Sequence, residues 1–526
     1  MPAFPQYDWI LAITTIALCG SAFGNGANDV ANAYATSVAA RTLTMPQVGI
    51  LSMITEFIGA VALGERVTGT IKNNIINIDH FAESPAVLML VMGCSEVASA
   101  SWLILATKMG MPVSTTQTIV GALIGAGIAS GASVSWAWND GSVSQVAASW
   151  GIAPLISGAF AAILFGTLKF FILERENSFE KAMRAIPFYL AFTGAILALF
   201  HNSRSPWRAQ PRSPRCRHCV RNCTRGVLRV LAIATYFSSP TSRGNHHEDP
   251  GQISPTTEPA ATGSSSGVQP NPAGNGQFLE DVERHGTLPI RRKHLKPEPE
   301  ERFLAPTAHL PVYHPQRQWS LLKYFFLQGV TRDCVTHASA QLASVHGKAK
   351  RYDNRVEHLW TYAQVASAIM MSIAHGSNDV ANSVGPWVAS YQVFRTGLVT
   401  EDVNTPVWIL VVAGFLLGAG FWFMGHHIIR ALGNKITQLS PTRGYAMELG
   451  AAITVLLASR LGLPVSTTQC LTGAVLGVAL MNLDLGAVNW RQLAFIFGGW
   501  VLTLPCAGLM SGLLTVMALN APQFGS

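Results

Sequence analysis

Long apolar segments recur toward both ends of the chain, and Gly, Pro and charged residues separate them. Several segments reach or approach the roughly 20 residues that an α-helix needs to cross a bilayer. The pattern predicts an all-α, polytopic membrane protein with about 11–12 crossings. The apolar segments are Trp9–Phe23, Val48–Leu63, Ala86–Thr107, Ile119–Ala129, Val146–Leu173, Ile186–Phe200, Trp360–Ile373, Val407–Phe423, Ala446–Ala458, Cys470–Met481 and Leu493–Leu519.

Two polar stretches of nearly the same sequence interrupt the apolar pattern. Residues 24–33 read GNGANDVANA and residues 375–383 read HGSNDVANS. An aspartate at membrane depth costs about 2.5–3.5 kcal/mol on insertion scales unless it lines a cavity or binds a ligand. The neighbouring glycines would let each helix open and present backbone carbonyl groups as ligands. Two copies therefore favour a binding site over a kinked helix with polar packing.

Each half of the chain also contains a hydroxyl cluster that follows a proline. Both clusters read PVSTTQ, and they begin at Pro112 and at Pro464. Proline stops an incoming helix and Ser and Thr are good N-caps, so a new half-helix is predicted to begin at each cluster. The free N–H groups of a helix N-terminus bind anions. The sequence therefore predicts discontinuous helices whose starts form an anion site.

A single repeat register relates the two halves. Asp379 follows Asp29 by 350 residues, and Ser466 follows Ser114 by 352 residues. An acid and a base occupy matching positions before each serine, the acid 18 residues and the base six residues ahead of it. These pairs are Glu96 with Glu448 and Lys108 with Arg460.

The charges of the short loops indicate how the halves are oriented, because Lys and Arg favour the cytoplasmic side. An outside N-terminus places Arg41, Lys108 and the basic loop 169–184 inside, whereas the second half must start inside. The halves are therefore predicted to be inverted-topology repeats, with the substrate near the midplane between discontinuous helices. Both termini would lie outside and the central loop in the cytoplasm, and the plasma membrane is the expected location.

The segment between the halves has a different composition. Eight arginines between Arg204 and Arg229 precede a Pro/Ser/Thr/Gly-rich tract that ends near Gly276. Such a composition predicts a cytoplasmic, largely disordered loop at 201–356, between repeats at 1–200 and 357–526. The arginines cannot lie in lipid, yet an odd number of crossings must precede the second half. Either a seventh crossing lies here, or a gene-model error affects 201–276. We expect irregular, loosely packed chain up to about Arg355.

Composition narrows the class of function. The chain is 49% hydrophobic and 12% charged, with a formal net charge of +8. The positive charge lies mostly in the middle of the chain, which fits a cytoplasmic loop better than a nucleic-acid surface. Cys216 and Cys219 form one CxxC pair without a second, which is weak evidence for zinc, so no metal cofactor is predicted. The serines of the two clusters have no predicted general base, so an enzyme is not expected.

The paired NDVAN stretches and the paired PVSTT clusters resemble those of the inorganic phosphate transporter (PiT) family, and of fungal-type sodium/phosphate symporters in particular. The resemblance covers roughly residues 8–200 and 357–520, but not the Arg-rich segment. It implies twelve crossings, outside termini and a large cytoplasmic loop. It also implies a secondary active transporter that imports inorganic phosphate with sodium as coupling ion. Membrane lipid is a further expected partner, and a homo-oligomer remains open.

The resemblance assigns a role to each motif residue. Many relatives carry a histidine after the Ser-Thr-Thr, whereas this chain has glutamines, which can donate hydrogen bonds to phosphate but cannot titrate. The implied phosphate-binding residues are Ser114, Thr115, Thr116, Gln117, Ser466, Thr467, Thr468 and Gln469. The implied sodium-binding residues are Asn28, Asp29, Asn32, Asn378, Asp379 and Asn382, and Glu56, Glu96, His375 and Glu448 are expected along the transport path.

Other functions remain open at this point. Phosphate could move with protons instead of sodium, or a similar oxyanion such as sulfate or arsenate could be the substrate. A membrane sensor could bind phosphate without moving it. Two symmetric half-sites favour transport over sensing, because a sensor has no need of a site that is reachable from both sides.

Overall fold

The computed structural model describes residues 2–138, 141–202, 297–335, 340–400, 405–481 and 485–521. Helices account for the regular structure of these residues, and none of them forms a strand, which confirms the all-α prediction. The α-helices are α1 Asp8–Ala39, α2 Met45–Leu63, α3 Glu65–Asn73, α4 Pro85–Lys108, α5 Thr115–Ala129, α6 Val143–Leu168, α7 Ser178–Asn202, α8 Pro315–Thr331, α9 Ala340–Lys348, α10 Asn354–Leu359, α11 Thr361–Thr396, α12 Val407–Met424, α13 His426–Ile436, α14 Pro441–Arg460, α15 Thr467–Leu480 and α16 Trp490–Leu519.

Seven segments of the described chain are long and apolar enough to cross a membrane. They contain α1, α2, α4, α6, α7, α12 and α16. Helices α11 and α14 are 36 and 20 residues long and carry the polar side chains of the second half. Helices α5 and α15 are apolar but only 15 and 14 residues long. The prediction of a polytopic membrane protein with two short half-helices is therefore confirmed.

The two motif helices do not open, which corrects one expectation. Helix α1 runs without a break through Asp29, and α11 runs without a break through Asp379. The motif glycines serve close packing instead. A Cβ atom on Gly26 would lie 1.8 Å from the Leu417 carbonyl oxygen, and one on Gly376 would lie 2.6 Å from the Glu56 carbonyl oxygen. Any larger residue at these positions would push α12 or α2 away.

Each short half-helix packs against a long helix of the opposite half. Helix α5 packs on α16, and α15 packs on α6. Glycines bring the backbones together: a Cβ atom on Gly125 would lie 2.0 Å from the Gly508 oxygen, and one on Gly477 would lie 2.1 Å from the Gly158 oxygen. The Ser157 hydroxyl group also donates a hydrogen bond to the Cys470 carbonyl group at 2.7 Å.

Substitution of Gly125 by alanine should destabilise the protein. The new methyl group would overlap the α16 backbone, and overpacking of this kind costs about 1–3 kcal/mol. We expect a lower melting temperature for detergent-purified Gly125→Ala. Gly498→Ala on α16 is the matched control, because a Cβ atom there has no heavy atom within 4 Å. An unchanged melting temperature in Gly125→Ala would contradict the close packing of α5 on α16.

The described part of the central loop contains helices α8, α9 and α10, so the expected irregular chain is wrong for these residues. Helix α8 is attached to the end of α12. The Trp422 indole N–H group donates to the Phe326 carbonyl oxygen at 2.7 Å, and Gly329 lies against the Trp422 backbone. The composition of residues 201–356 led to the prediction of a disordered loop, and α8 was therefore missed. Its apolar residues Trp319, Leu322 and Phe326 nevertheless follow helical spacing. The Arg-rich run and the tract up to Gly276 lie outside the described residues.

Candidate functional site

The two motif aspartates are buried side by side where α1 and α11 pack together. Asp29 is 1% exposed and Asp379 is 0% exposed. The Thr115 hydroxyl group lies 2.8 Å from Asp29 Oδ2 and 3.4 Å from Asp379 Oδ2. The Thr467 hydroxyl group lies 3.1 Å from Asp379 Oδ2 and 3.5 Å from Asp29 Oδ2. One threonine from each hydroxyl cluster therefore contacts both aspartates.

Both half-helices begin where the sequence predicts, immediately after the hydroxyl clusters' serines. Ser114 caps α5 by accepting a hydrogen bond from the Gln117 backbone N–H group at 3.2 Å, and Ser466 caps α15 by accepting from Gln469 at 3.3 Å. The preceding helices α4 and α14 end before glycines in the left-handed region, with φ 67° at Gly110 and 73° at Gly462. The Thr115 backbone N–H group donates to Asp29 Oδ2 at 3.4 Å, so the start of α5 faces the buried aspartates.

The two half-helix starts also hold each other in place. The Thr116 hydroxyl group donates to the Val465 carbonyl oxygen at 3.1 Å, and the Thr468 hydroxyl group donates to the Val113 carbonyl oxygen at 3.2 Å. Thr468 also contacts Asp29 Oδ1 at 2.7 Å. Each hydroxyl cluster therefore bonds to the non-helical residues that precede the other half-helix. As a result, the eight residues predicted to bind phosphate form one continuous group.

The predicted sodium residues divide into two kinds. Asn28 and Asn378 hold the non-helical segments that precede α5 and α15. The Asn28 amide oxygen accepts from the Val113 N–H group at 3.1 Å, and the Asn378 amide donates to the Val465 carbonyl oxygen at 2.8 Å. Asn32 and Asn382 donate to threonines of the clusters, but their amide oxygens are buried and have no hydrogen-bond partner in the part of the chain that the structure describes. Those two oxygens and the two aspartates are the groups best suited to a hard cation.

His375 connects the aspartate pair to Glu56 on α2. Its Nδ1 atom lies 2.7 Å from Glu56 Oε2, and its Nε2 atom lies 3.0 Å from Asp379 Oδ2. Ser372 donates to the other Glu56 oxygen at 2.6 Å. Asp29, His375 and Asp379 place their ligand atoms within 4.8 Å of one another, close enough to share one ion. Of the four predicted path residues, His375 therefore contacts an aspartate directly, and Glu56 is connected to the site through it.

The other two path residues, Glu448 and Glu96, lie apart from the aspartates and differ from each other. Glu448 is fully buried and accepts several hydrogen bonds, from Ser37 at 2.6 Å, from Ser367 at 2.5 Å and from Gln364 at 3.4 Å. Glu96 is also fully buried, yet neither of its carboxyl oxygens has a hydrogen-bond partner among the described residues.

Sequence reasoning missed several residues that position the site. Thr107 accepts from the Asn28 amide at 3.0 Å, and Ser459 donates to Asn378 at 3.4 Å. These two residues are separated by 352 residues, the offset that relates the two hydroxyl clusters. The repeat register could therefore have found them. The donors around Glu448 carry no such signal, because they come from α1 and α11 at positions that have no matching donor in the other half.

Comparisons with known proteins show which family the chain resembles. A sequence profile described as "Phosphate transporter family" matches residues 25–511. The chain is 35% identical to the phosphate-repressible phosphate permease pho-4 of Neurospora crassa, with 99% of each chain covered, and 27% identical to the human sodium-dependent phosphate transporter 2, with 98% of each covered. A solved structure titled "The sodium-dependent phosphate transporter" matches with a TM-score of 0.67 at 25% identity, covering 97% of this chain and 99% of that one. The profile covers most of the chain, and the relatives are named as transporters and not as enzymes, so the chain belongs to the phosphate transporter family.

Proposed function

We propose that the protein imports inorganic phosphate together with sodium. One observation carries the proposal: Thr115 and Thr467 each stand at a half-helix start and each contact both aspartates. A phosphate held by the half-helix N–H groups and hydroxyl groups would therefore share its ligands with a cation held by the aspartates. Relatives named as sodium-dependent phosphate transporters support sodium as that cation.

The shared threonines give a physical reason for coupled binding. Without cations, the carboxylates accept the threonine hydroxyl groups and repel an approaching anion. Sodium ions at Asp29, Asp379 and the free amide oxygens of Asn32 and Asn382 would neutralise that charge and release the hydroxyl groups to donate to phosphate. Each ligand would then raise the affinity of the other, which is the thermodynamic requirement for symport.

Replacement of sodium tests the proposed coupling. Uptake of labelled phosphate would be measured in cells that lack their own phosphate transporters, with choline as the replacement cation, at acid and alkaline pH. We expect uptake to fall at least tenfold without sodium at both pH values, because the two carboxylates would remain uncompensated (a loss of about 1.4 kcal/mol per tenfold). Uptake that is indifferent to sodium at every pH would remove sodium from the proposal.

Proton coupling is the second candidate, and the contacts of His375 favour it. The imidazole ring bridges Glu56 and Asp379, so a proton could be held among three buried groups next to the site. If protons are the coupling ions, His375→Gln should remove the pH dependence of uptake while uptake at a permissive pH remains. Under sodium coupling, the same variant should retain its sodium dependence. Excess unlabelled sulfate or arsenate in the same assay tests the choice of oxyanion.

We further propose that the halves are inverted repeats in the plasma membrane, with outside termini and a cytoplasmic central loop. The matching helix breaks after α4 and α14 and the matching caps at Ser114 and Ser466 support the repeat. Epitope tags at both termini should be reached by antibodies on intact cells, whereas a tag near Tyr313 should be reached only after permeabilisation. A tag near Tyr313 that is stained on intact cells would contradict the orientation.

A further inference from the structure

Glu96 is a buried carboxyl group for which the proposed mechanism has no use. It lies in the middle of α4 and is 0% exposed, and both of its oxygens lack a hydrogen-bond partner among the described residues. A buried charged group without compensation is strongly unfavourable. Glu448, its counterpart in the repeat register, is surrounded by donors. Because Glu448 has donors and Glu96 does not, the charge of a Glu96 carboxylate would need compensation from a group other than those that surround Glu448.

Three serines that contact one another come from α1, α4 and α11 near Glu96, and Ser99 follows Glu96 by three residues, one turn further along α4. The Ser21 hydroxyl group on α1 lies near enough to donate to the Glu96 carboxyl group, although the geometry falls short of that of an ordinary hydrogen bond. The Ser21 oxygen is 3.3 Å from the Ser99 oxygen on α4 and 3.1 Å from the Ser383 oxygen on α11. All three serines are at most 1% exposed. Small residues permit this approach, because a Cβ atom on Gly20 would already contact the Ala100 methyl group at 3.3 Å.

The chemistry of this cluster suits a small hard cation. Around Glu448 the hydroxyl groups donate to the carboxylate, so their hydrogens satisfy it. Near Glu96, Ser21 pairs with Ser99 and with Ser383, and a hydroxyl oxygen in such a pair still has a lone pair for a further partner. A carboxylate and several neutral oxygens are the ligands that a hard cation prefers. The three helices that supply these ligands are α1, α4 and α11, the first and last of which carry the aspartates.

The Glu96 cluster is separate from the aspartate pair. Ser21 precedes Asp29 by eight residues on α1, and Ser37, which contacts Glu448, follows Asp29 by eight residues. At 1.5 Å per residue, each lies about 12 Å from the aspartate along the helix. Glu96 and Glu448 therefore lie on opposite sides of the candidate substrate site.

We propose that Glu96, with the hydroxyl groups of Ser21, Ser99 and Ser383, binds a sodium ion at a second cation site. The inference rests on the proposed sodium-coupled transport and adds to it. An ion at this position would lie on the side of the aspartate pair that is nearer to the N-terminus of α1, next to the candidate substrate site. Occupation of the site would compensate the Glu96 carboxylate and link α4 to α1 and α11.

Sodium titration of the full-length protein tests this site. Purified wild type and Glu96→Gln would be compared for sodium-dependent thermal stabilisation without phosphate, at constant ionic strength with choline, and for sodium-dependent uptake in liposomes. We expect Glu96→Gln to raise the half-saturating sodium concentration at least about tenfold, because the charge of the ligand set tunes cation affinity by powers of ten. The KM for phosphate at saturating sodium should stay within about twofold of wild type, since Glu96 does not contact the phosphate residues.

Ser383→Ala and Ser99→Ala provide an independent arm, because each removes one neutral ligand and keeps the carboxylate. Both should weaken sodium binding in the same direction as Glu96→Gln, and they carry the test if that variant does not fold. Ser101→Ala is the matched control, since Ser101 is exposed on the same helix and its hydroxyl group donates to the Val97 carbonyl oxygen of its own helix at 2.7 Å.

The outcomes separate this inference from the proposed function. If wild type responds to sodium and the Glu96 and serine variants follow the same titration curves, Glu96 is a neutral structural carboxyl group and the second site is refuted. If wild type transports phosphate but shows no sodium response in either assay, sodium coupling fails as well. A shifted sodium curve in the Glu96 and serine variants, with an unshifted curve in Ser101→Ala, supports the site.

Discussion

Asp29→Asn and Asp379→Asn should each abolish phosphate uptake while the protein still reaches the membrane. The amide keeps the size of the side chain and removes its charge, so the proposed sodium site would lose half of its formal negative charge. Removal of the carboxylate from a buried pair of opposite charges, here an aspartate and the proposed sodium ion, costs about 3–5 kcal/mol. This cost corresponds to a factor of at least about 100 in sodium affinity. Initial rates of labelled phosphate uptake, normalised to surface expression, measure the effect.

The fold of the aspartate variants can be checked separately. An amide oxygen still accepts the Thr115 or Thr468 hydroxyl group, so the melting temperature should change little. Asp79→Asn is the matched control, because that aspartate is exposed and lies outside the motif helices, in the 3-10 turn Ile78–Phe81. Normal uptake by both Asp29→Asn and Asp379→Asn would refute the assignment of the aspartates to the transport site.

Thr115→Val and Thr467→Val should produce the second large effect. Each substitution removes a hydroxyl group that contacts both carboxylates and that is proposed to donate to phosphate. A hydrogen bond to a charged group contributes about 1.5–3 kcal/mol, so uptake at low phosphate should fall about 10- to 100-fold. Phosphate and sodium titrations of uptake should both shift, because the lost hydroxyl group serves both ligands in the proposed site.

Thr118→Val is the control for these variants. Thr118 is buried one turn further along α5, and its hydroxyl group donates to the Ser114 carbonyl oxygen at 2.8 Å without contacting either aspartate. Its loss should leave both titrations within about twofold of wild type. A Thr118→Val phenotype as strong as that of Thr115→Val would indicate that α5 tolerates no substitution, and the Thr115 result would then not identify a ligand.

Periodicity and repeat register predicted the helices and the positions of the half-helix starts. They did so because lipid and the helical hydrogen-bond pattern impose strict limits that are visible in single segments: apolar length, proline, and a hydroxyl-bearing cap such as Ser114 or Ser466. The predicted opening of the motif helices was wrong. The sequence alone does not show whether a glycine loosens its helix or makes room for a neighbouring backbone. At Gly26, the packing of Leu417 in the structure shows that it makes room.

The sequence predicted which residues belong to the candidate site but not which side chains each of them contacts. The register brought Asp29 and Asp379 together as equivalents, yet it treated Glu96 and Glu448 as equivalents too. Their surroundings differ because the serines near each one come from positions without a counterpart in the other half, such as Ser21 and Ser37. Repeat symmetry can predict which residues correspond, whereas their individual contacts depend on side chains that the two halves do not share.

The short helix α5 lacks its main packing partner for much of the protein's synthesis. Trp490, where α16 begins, is made 375 residues after Thr115, where α5 begins. At about 5–20 residues per second, this interval is roughly 20–75 seconds. During that time a helix too short to cross a bilayer has α4 beside it, while the glycine face that fits Gly508 is uncovered. Packing of the α5 N-terminus is therefore completed only when the last helix of the chain arrives, and a polypeptide terminated before α16 leaves that end unsupported.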